Sequence, residues 1–182
     1  PDFDMSDQNI TDSQLRMLFA VCHPSISPES QVGLALRILC GFGIDEIANA
    51  LLTNRETINK RLVRAREKLR TEQVTLSFPG EHEINKRLNT VLTTLYLLFN
   101  EGYHSESSDT VLREDLCAEA MRLTYMLIAN ETTNLPSVNA LMSLMCFHAS
   151  RFKARKNEKG ELILYDDRDR SLWDNELMSR GA

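Results

Sequence analysis

The chain has 182 residues, 42% of them hydrophobic, and a formal net charge of −5, which suits one large or two small globular domains. No apolar run approaches the roughly 20 residues that a membrane-spanning helix needs, which argues against a membrane partner. The N-terminal stretch is acidic and polar, so we expect no signal peptide, and the first residue, Pro1, leads us to expect a piece of a longer protein.

The first predicted helix follows a polar stretch, residues 1–11, that we expect to be a flexible leader. Asp12 or Ser13 can cap this helix, and Pro24 should end it because the residue before a proline resists helical geometry. Apolar residues at helical spacing predict its buried face: Leu15, Leu18, Phe19 and Cys22.

A second helix should start at Ser27-Pro28-Glu29, which combines a capping hydroxyl, a proline in the first turn and an early acidic residue. The Gly-Phe-Gly sequence at residues 41–43 should end it. Its predicted buried face is Val32, Ala35, Leu36 and Leu39.

Residues 44–70 predict two helices joined by a tight turn, the arrangement of a helix-turn-helix. Residues 53–56 fit a capping box in which the Thr53 hydroxyl and the Glu56 carboxylate each accept an amide of the other residue, so the second helix should begin at Asn54. The apolar positions of the pair, at helical spacing, are Ile44, Ile47, Ala48 and Leu51 in the first helix and Ile58, Leu62, Ala65 and Leu69 in the second.

The second helix of this pair is strongly basic although the whole chain is acidic. Residues 55–70 contain seven Lys or Arg and two Glu, a local charge of +5. Such a run is most often a solvated helix face. Here the cap, the turn length and the apolar seam agree with one another, and Glu is scarce where it would pair with the cations. These features favour a helix that binds DNA in the major groove.

Residues 71–82 carry a Pro-Gly turn and little periodicity, so we predict a linker there between a domain at 12–70 and a helical extension at 83–182. The extension should contain helices over residues 83–100, 112–128 and 137–154, with Gly102 as the C-cap of the first and a polar loop at 105–109. The predicted fold class is therefore all-α, a four-helix domain followed by a helical extension.

The predicted buried faces of the extension are apolar stripes at helical spacing. His148 aligns with the third stripe, which is more typical of a core or boundary histidine than of a ligand. The stripes are Leu88, Val91, Leu92, Leu95, Leu98 and Phe99; then Leu116, Ala120, Leu123 and Leu127; then Val138, Leu141, Leu144 and Met145.

Nothing in the sequence predicts a cofactor or a metal. The four cysteines have no C-x-x-C spacing and lie in apolar contexts, so we expect buried free thiols in a reducing cytoplasm: Cys22, Cys40, Cys117 and Cys146. Two Cys/His pairs, Cys22-His23 and Cys146 with His148, lack partner pairs at zinc spacing.

The C-terminal part holds two charged clusters. The cations of residues 151–159 suit the dipole at a helix C-terminus, although they could also contact phosphate. A short extended piece is predicted over 160–165. The aspartates of residues 166–170 lack the spacing of a calcium loop, and we expect them to pair with Arg168 and Arg170 around Trp173.

Asp45-Glu46-Ile47-Ala48 and the run from Thr57 to Arg66 (TINKRLVRAR) resemble region 4 of bacterial extracytoplasmic-function sigma factors. Residues 15–24, 95–103, 115–120 and 167–174 resemble a subgroup of that family with a helical, tetratricopeptide-like C-terminal extension. The resemblance implies the C-terminal part of a sigma factor, with the DNA-melting region 2 outside this chain. Leu52 stands where many helix-turn-helix units have Gly.

Helix geometry and the resemblance agree on a DNA-binding face. The side opposite the apolar seam carries Glu56, Lys60, Val63 and Glu67, flanked by Asn59 and Arg64. In the family, the four matching positions face the −35 promoter element. We predict that Lys60 and Arg64 contact guanine or nearby phosphate, Asn59 adenine and Val63 a thymine methyl. Predicted phosphate contacts are Arg55, Thr57, Arg61, Arg66 and Lys68.

The resemblance further implies that region 4 docks on the flap of the RNA polymerase β subunit, with the extension as a regulatory surface. Two other protein classes stay open: the DNA-binding output domain of a dimeric regulator, and a module whose basic helix meets an acidic protein. An enzyme is not expected. Residues 100–104 (NEGYH) bring acidic and basic side chains together, but no nucleophile–base pair accompanies them. No small-molecule substrate is evident either.

Overall fold

The computed structural model describes residues 12–104, 113–157, 159 and 161–182. The predicted leader at 1–11 and the whole of the predicted loop at 105–109 lie outside these residues. Within the described residues the structure is helical, which confirms the all-α prediction. The helices are α1 (Ser13–Val21), α2 (Pro28–Ile38), α3 (Ile44–Ala50), α4 (Arg55–Thr71), α5 (Glu81–Tyr103), α6 (Glu114–Ile128), α7 (Pro136–Ala149) and α8 (Asn175–Gly181).

The first two helices begin and pack as predicted. Asp12 Oδ1 accepts a 2.9 Å hydrogen bond from the amide of Leu15, and the Ser27 hydroxyl accepts one from the amide of Ser30. The predicted face of α1 is buried throughout. On α2 the last predicted position, Leu39, is only half-buried, because the helix has already ended at Ile38.

The predicted capping box at the start of α4 is wrong by one residue. The cap is Asn54, whose Oδ1 accepts a 2.8 Å hydrogen bond from the amide of Thr57. Thr53 instead uses its own amide to close the preceding turn on Ala48 O at 2.9 Å. Glu56 is drawn forward to Lys60 rather than back to the cap, since a cation one turn ahead is a better partner than a solvated amide.

The 23-residue helix α5 joins the two parts of the chain. It packs on α1 and α2 on one side and on α6 and α7 on the other, so one cluster of buried side chains runs from α1 to α7. Arg87 of α5 is buried and donates a 3.0 Å hydrogen bond to Phe19 O of α1. The division at residues 71–82 remains a prediction.

Gly102 is not the C-cap that its position suggested. Helix α5 continues to Tyr103, and His104 is the capping residue. A Cβ on Gly102 would lie 2.7 Å from Arg113 O and 2.8 Å from Cys117 Sγ, where the start of α6 crosses α5. The glycine therefore serves a close helix crossing rather than a helix end.

Helix α7 is shorter than predicted, because a separate 3₁₀ turn (Phe152–Ala154) follows it. Leu144, predicted to be buried, is 39% exposed. Arg151 behaves as expected at a helix C-terminus, donating from Nε to Phe147 O at 2.8 Å. Arg155 does not: it is 3% exposed, and its guanidinium stacks 3.7 Å from the centre of the Tyr103 ring.

Three of the four cysteines are buried, and Cys40 is half-buried. Burial raises the pKa of the Cys22 and Cys117 thiols to about 12, so both are protonated at neutral pH. His148 packs edge-on against the stacked rings of Tyr103 and Phe99, with centroids 4.9 and 6.5 Å away, and its burial lowers its pKa. It is the half-buried boundary histidine that the sequence predicted, although its Nδ1 has no hydrogen-bond partner among the described residues.

The charged segment before α8 differs from the prediction. In the described part of the chain, Asp166, Asp167 and Asp169 form no ion pair with Arg168 or Arg170. The arginines stack on aromatic rings instead, Arg168 over Tyr165 and Arg170 over Trp173. Stacking over an aromatic ring gives a guanidinium a favourable contact without ordering a second charge. Of the predicted extended piece, the bridge between Lys156 and Leu162 is present.

Candidate nucleic-acid interface

Helix α4 presents one apolar side to the core and one charged side to solvent. Its seam is buried against α2 and α3 at Ile58, Leu62 and Ala65, while Leu69 near the end is half-buried. With the seam facing inward, every residue half a turn away must face outward. The predicted seam is confirmed, and it determines which side of α4 is available to a partner.

The four residues predicted to read bases are all exposed on that outer side: Asn59, Lys60, Val63 and Arg64. Val63 is 51% exposed, although its neighbours on this face are polar or charged. The arrangement brings together amide, cationic and apolar groups within two helical turns, which are the groups that base edges in a major groove can accept. Their role stays a prediction.

The predicted phosphate-contacting residues flank this face on both sides. At roughly 100° per residue, Thr57, Arg61 and Lys68 fall on one flank, and Arg55 and Arg66 fall on the other. A helix in the major groove has a DNA backbone on each side, so cations on both flanks suit that geometry. This role too stays a prediction.

Some of these cations already have carboxylate partners. Arg55 pairs with Asp45 of α3 at 3.0 Å, Lys60 with Glu56 at 2.6 Å and Lys68 with Glu72 at 3.8 Å. All three pairs are exposed, so each contributes at most about 1 kcal/mol and can be exchanged for a phosphate. No carboxylate of the described residues lies within 4 Å of the cationic nitrogens of the remaining arginines, Arg61, Arg64 and Arg66.

The turn before α4 closes although it lacks glycine. Leu52 has φ of 50°, in the left-handed region, and its side chain is 95% exposed. Leu52 N donates to Asn49 O at 3.1 Å, so the turn has the hydrogen bonding of a regular helix end. Leucine in place of the usual glycine at position 52 therefore strains the backbone, but the turn still closes and α4 keeps its position.

Ser30 of α2 is a candidate contact that sequence reasoning missed. It lines a cleft with four residues of α4: Thr57, Lys60, Arg61 and Arg64. In the sequence Ser30 appears as an ordinary residue in the first turn of α2, and only the packing of α2 on α4 brings it beside the cations. The available signal was the hydroxyl-rich start of α2.

The described residues hold no group of three or more His, Cys, Asp or Glu side chains placed to bind a metal ion. None of the described helices combines the length and the apolar character needed to cross a membrane.

Comparison with known proteins adds two family matches. Residues 4–75 match the family described as ECF sigma factor, where ECF stands for extracytoplasmic function. Residues 87–182, more than half of the chain, match a family of unknown function named DUF6596.

An uncharacterised protein of Rhizobium meliloti (strain 1021) is 32% identical over 168 residues, which cover 92% of this chain. The matched part is 40% of that relative, so the chain spans well under half of its length. No solved structure matches the chain.

Proposed function

This chain belongs to the DUF6596 family, which its residues 87–182 match, and its residues 4–75 match the extracytoplasmic-function sigma factors. On that premise we propose that α4 binds the −35 element of a promoter. The match to sigma factors supports a sigma-factor-type role in transcription. The observation that carries the finer proposal is the outer face of α4, where Asn59, Lys60, Val63 and Arg64 are exposed together opposite a buried seam.

Each of the four side chains has a chemical partner in the major groove. Lys60 and Arg64 can donate to guanine O6 and N7 or to nearby phosphates, and the Asn59 amide can pair with adenine. Val63 can contact a thymine methyl, which would remove an exposed apolar side chain from water. The face therefore offers discrimination between bases as well as charge attraction.

The flanking residues supply the sequence-independent part of the affinity. Arg55, Thr57, Arg61, Arg66 and Lys68 can hold phosphates on the two backbones that border the groove, and so set the register of α4. With four to five such contacts, the logarithm of the affinity falls with the logarithm of the salt concentration at a slope of about −4.

The second partner that we propose is the flap of the RNA polymerase β subunit, held by the helical core of α1–α4. The extension acts as a regulatory surface for this docking. Its longest helix, α5, packs directly on α1 and α2, which supports an influence of the extension on the first four helices. A dimeric regulator is not favoured, because the family match is to sigma factors.

The test is fluorescence anisotropy of this chain on a short duplex with a GGAA-type −35 element and on a scrambled duplex, at two salt concentrations. Arg64→Ala should weaken binding to the specific duplex about tenfold or more and reduce the preference over the scrambled one. Arg180→Ala removes an exposed charge from α8 and should bind as the unmodified chain does. A salt slope near zero would contradict binding in the groove.

A further inference from the structure

A cleft of about 340 Å³ lies between the first turn of α2 and the flank of α4. Two hydroxyl side chains line it, Ser30 from α2 and Thr57 from α4, together with three cationic ones, Lys60, Arg61 and Arg64. The cleft is concave and lined by donors and positive charge, which is the chemistry of an anion site.

Both hydroxyl groups can donate to an anion in this cleft. Ser30 is 8% exposed, and its Oγ lies 3.1 Å from Ser27 Oγ. The Ser27 hydroxyl also bonds the Glu29 carboxylate, so with its single proton engaged there, Ser27 Oγ accepts the proton of Ser30. When Glu29 turns to solvent, Ser27 can donate to Ser30, and the Ser30 O–H becomes available to a ligand. Thr57 engages the Asn54 cap through its backbone amide, at 2.8 Å, and not through its hydroxyl, which is free to donate.

The charges around the cleft favour an anion. Within the described ranges, neither Arg61 nor Arg64 has a carboxylate at ion-pair distance, and Lys60 has only the exposed partner Glu56. A second carboxylate that competes for the cations is Glu29, whose pKa is lowered by its own amide, by the Ser27 hydroxyl and by the charge of Arg61. Glu29 is exposed and can turn to solvent when a stronger anion arrives.

We propose that this cleft binds one phosphate of the DNA backbone, which makes Ser30, a residue outside the helix-turn-helix, a DNA contact. The inference rests on the proposed function. If α4 lies in the major groove, one of the two DNA backbones that border the groove runs along the side of α4 that carries Arg61. Arg64 belongs to both the cleft and the base-reading face, so the phosphate in the cleft sets the register of the neighbouring bases. Because the phosphate is held from both α2 and α4, it also sets the angle at which α4 lies in the groove.

The experiment uses the full chain and a set of −35 duplexes, each with one phosphate replaced by an uncharged methylphosphonate. We expect Ser30→Ala to bind the unmodified duplex about three- to tenfold more weakly. Arg61→Gln should bind about tenfold more weakly, and its salt slope should be smaller by about 1. The matched control is Ser137→Ala, an exposed serine in the first turn of another helix that starts with proline, which should change nothing.

The decisive result is a coupling between one residue and one phosphate. A methylphosphonate at the contacted position should weaken the unmodified chain but have little further effect on Ser30→Ala. At all other positions the two proteins should respond alike. Thermal denaturation of each variant checks that the fold is intact. Arg61→Gln, an exchange at a half-buried position, tests the same cleft through a second side chain.

Three outcomes overturn the inference, and they separate it from the proposed function. If Ser30→Ala and Arg61→Gln bind like the unmodified chain while Arg64→Ala is weakened, α4 binds DNA without the cleft. If Ser30→Ala is weakened equally on every duplex, the serine acts indirectly and does not touch a phosphate. If the unmodified chain shows no salt-dependent binding to any duplex, both proposals fail together.

Discussion

At the scale of single residues, the start of α4 depends on Leu52 and Asn54. Leu52 takes up the left-handed conformation that ends α3, at φ of 50°, and Asn54 satisfies a free amide at the start of α4. Thr53 between them closes the turn through its backbone. The orientation of the proposed recognition helix therefore rests on one strained backbone and one side-chain cap.

The cap predicts different effects for two adjacent polar residues. Asn54→Ala removes the acceptor for the Thr57 amide and should lower the free energy of unfolding by about 1 kcal/mol. For a chain of this size, that corresponds to a fall in the melting temperature of about 2–4 °C. Thr53→Ala is the control and should cost less, since no side-chain cap depends on it. Equal losses from the two changes would show that Thr53 is the cap after all.

The strain at Leu52 predicts that a smaller residue stabilises the chain. A non-glycine residue in the left-handed region costs about 1–2 kcal/mol, and Leu52 buries almost nothing in return. Leu52→Gly should therefore be more stable than Leu52→Ala by about 1 kcal/mol, measured by denaturant unfolding, since both lose the side chain and only glycine loses the strain. A more stable alanine variant would mean that the turn is not left-handed in solution.

At the scale of elements, the extension is built around the crossing of α5 and α6. Arg113 N donates to Gly102 O at 2.7 Å, so the start of α6 rests directly on the backbone of α5. Cys117 of α6 packs over the same glycine, and its Sγ donates to Phe99 O at 3.5 Å. The two helices approach this closely because Gly102 has no side chain.

This crossing predicts a large effect for a single methyl group. Gly102→Ala should destabilise the chain by about 1–3 kcal/mol, because the Cβ would meet backbone atoms that cannot move aside. Gly80→Ser is the matched control, since its Cβ would meet nothing within 4 Å and serine is a good N-cap for α5. Thermal unfolding followed by circular dichroism measures both. A Gly102→Ala variant as stable as the unmodified chain would contradict the crossing.

At the scale of the whole molecule, α1 is held to the extension at two points far apart in sequence. Arg87 of α5 donates to Phe19 O in the interior, and Arg122 of α6 pairs with Asp12 at 2.9 Å near the surface. Asp12 also caps α1, so one carboxylate serves a helix start and a contact between distant parts of the chain. Its protonation should therefore affect both.

Asp12 predicts a pH dependence of stability. Burial raises its pKa, but the Leu15 amide and Arg122 lower it by more, so the net shift is downward. A carboxyl whose folded-state pKa lies below its unfolded value stabilises the fold above the unfolded value, about 3.9, and loses this contribution as pH falls through the folded pKa. Asp12→Asn keeps the cap but loses the charge, and should be less stable by about 1 kcal/mol at pH 7.

The deficit of Asp12→Asn should shrink below about pH 4, as the carboxyl of the unmodified chain becomes protonated. Denaturant unfolding at pH 7, 5 and 3 measures it. Glu176→Gln, which breaks an exposed ion pair within α8, is the control and should show little change at any pH. A deficit that is constant from pH 7 to pH 3 would mean that the charge of Asp12 does not contribute.

The sequence by itself determined the features that depend on neighbours within one helical turn or two. Asp12 and Ser27 cap their helices as predicted, and the spacing of Ile58, Leu62 and Ala65 was enough to orient α4 and expose Val63 on the opposite side. Periodicity decides burial because a helix repeats every 3.6 residues, whichever helix it packs against. Family resemblance then supplied the chemistry expected of that face.

Only the tertiary structure decided which residues distant in sequence meet. Ser30 and Arg61 share a cleft because α2 packs on α4, and neither local pattern contains the other. Gly102 was wrongly predicted to be a helix cap, and Arg155 was wrongly assigned to the dipole of a helix C-terminus. The close crossing with α6 explains the glycine, and stacking on the Tyr103 ring explains the arginine. Such contacts arise from the packing of whole helices, whose geometry depends on many side chains at once and leaves no periodic signal in either segment.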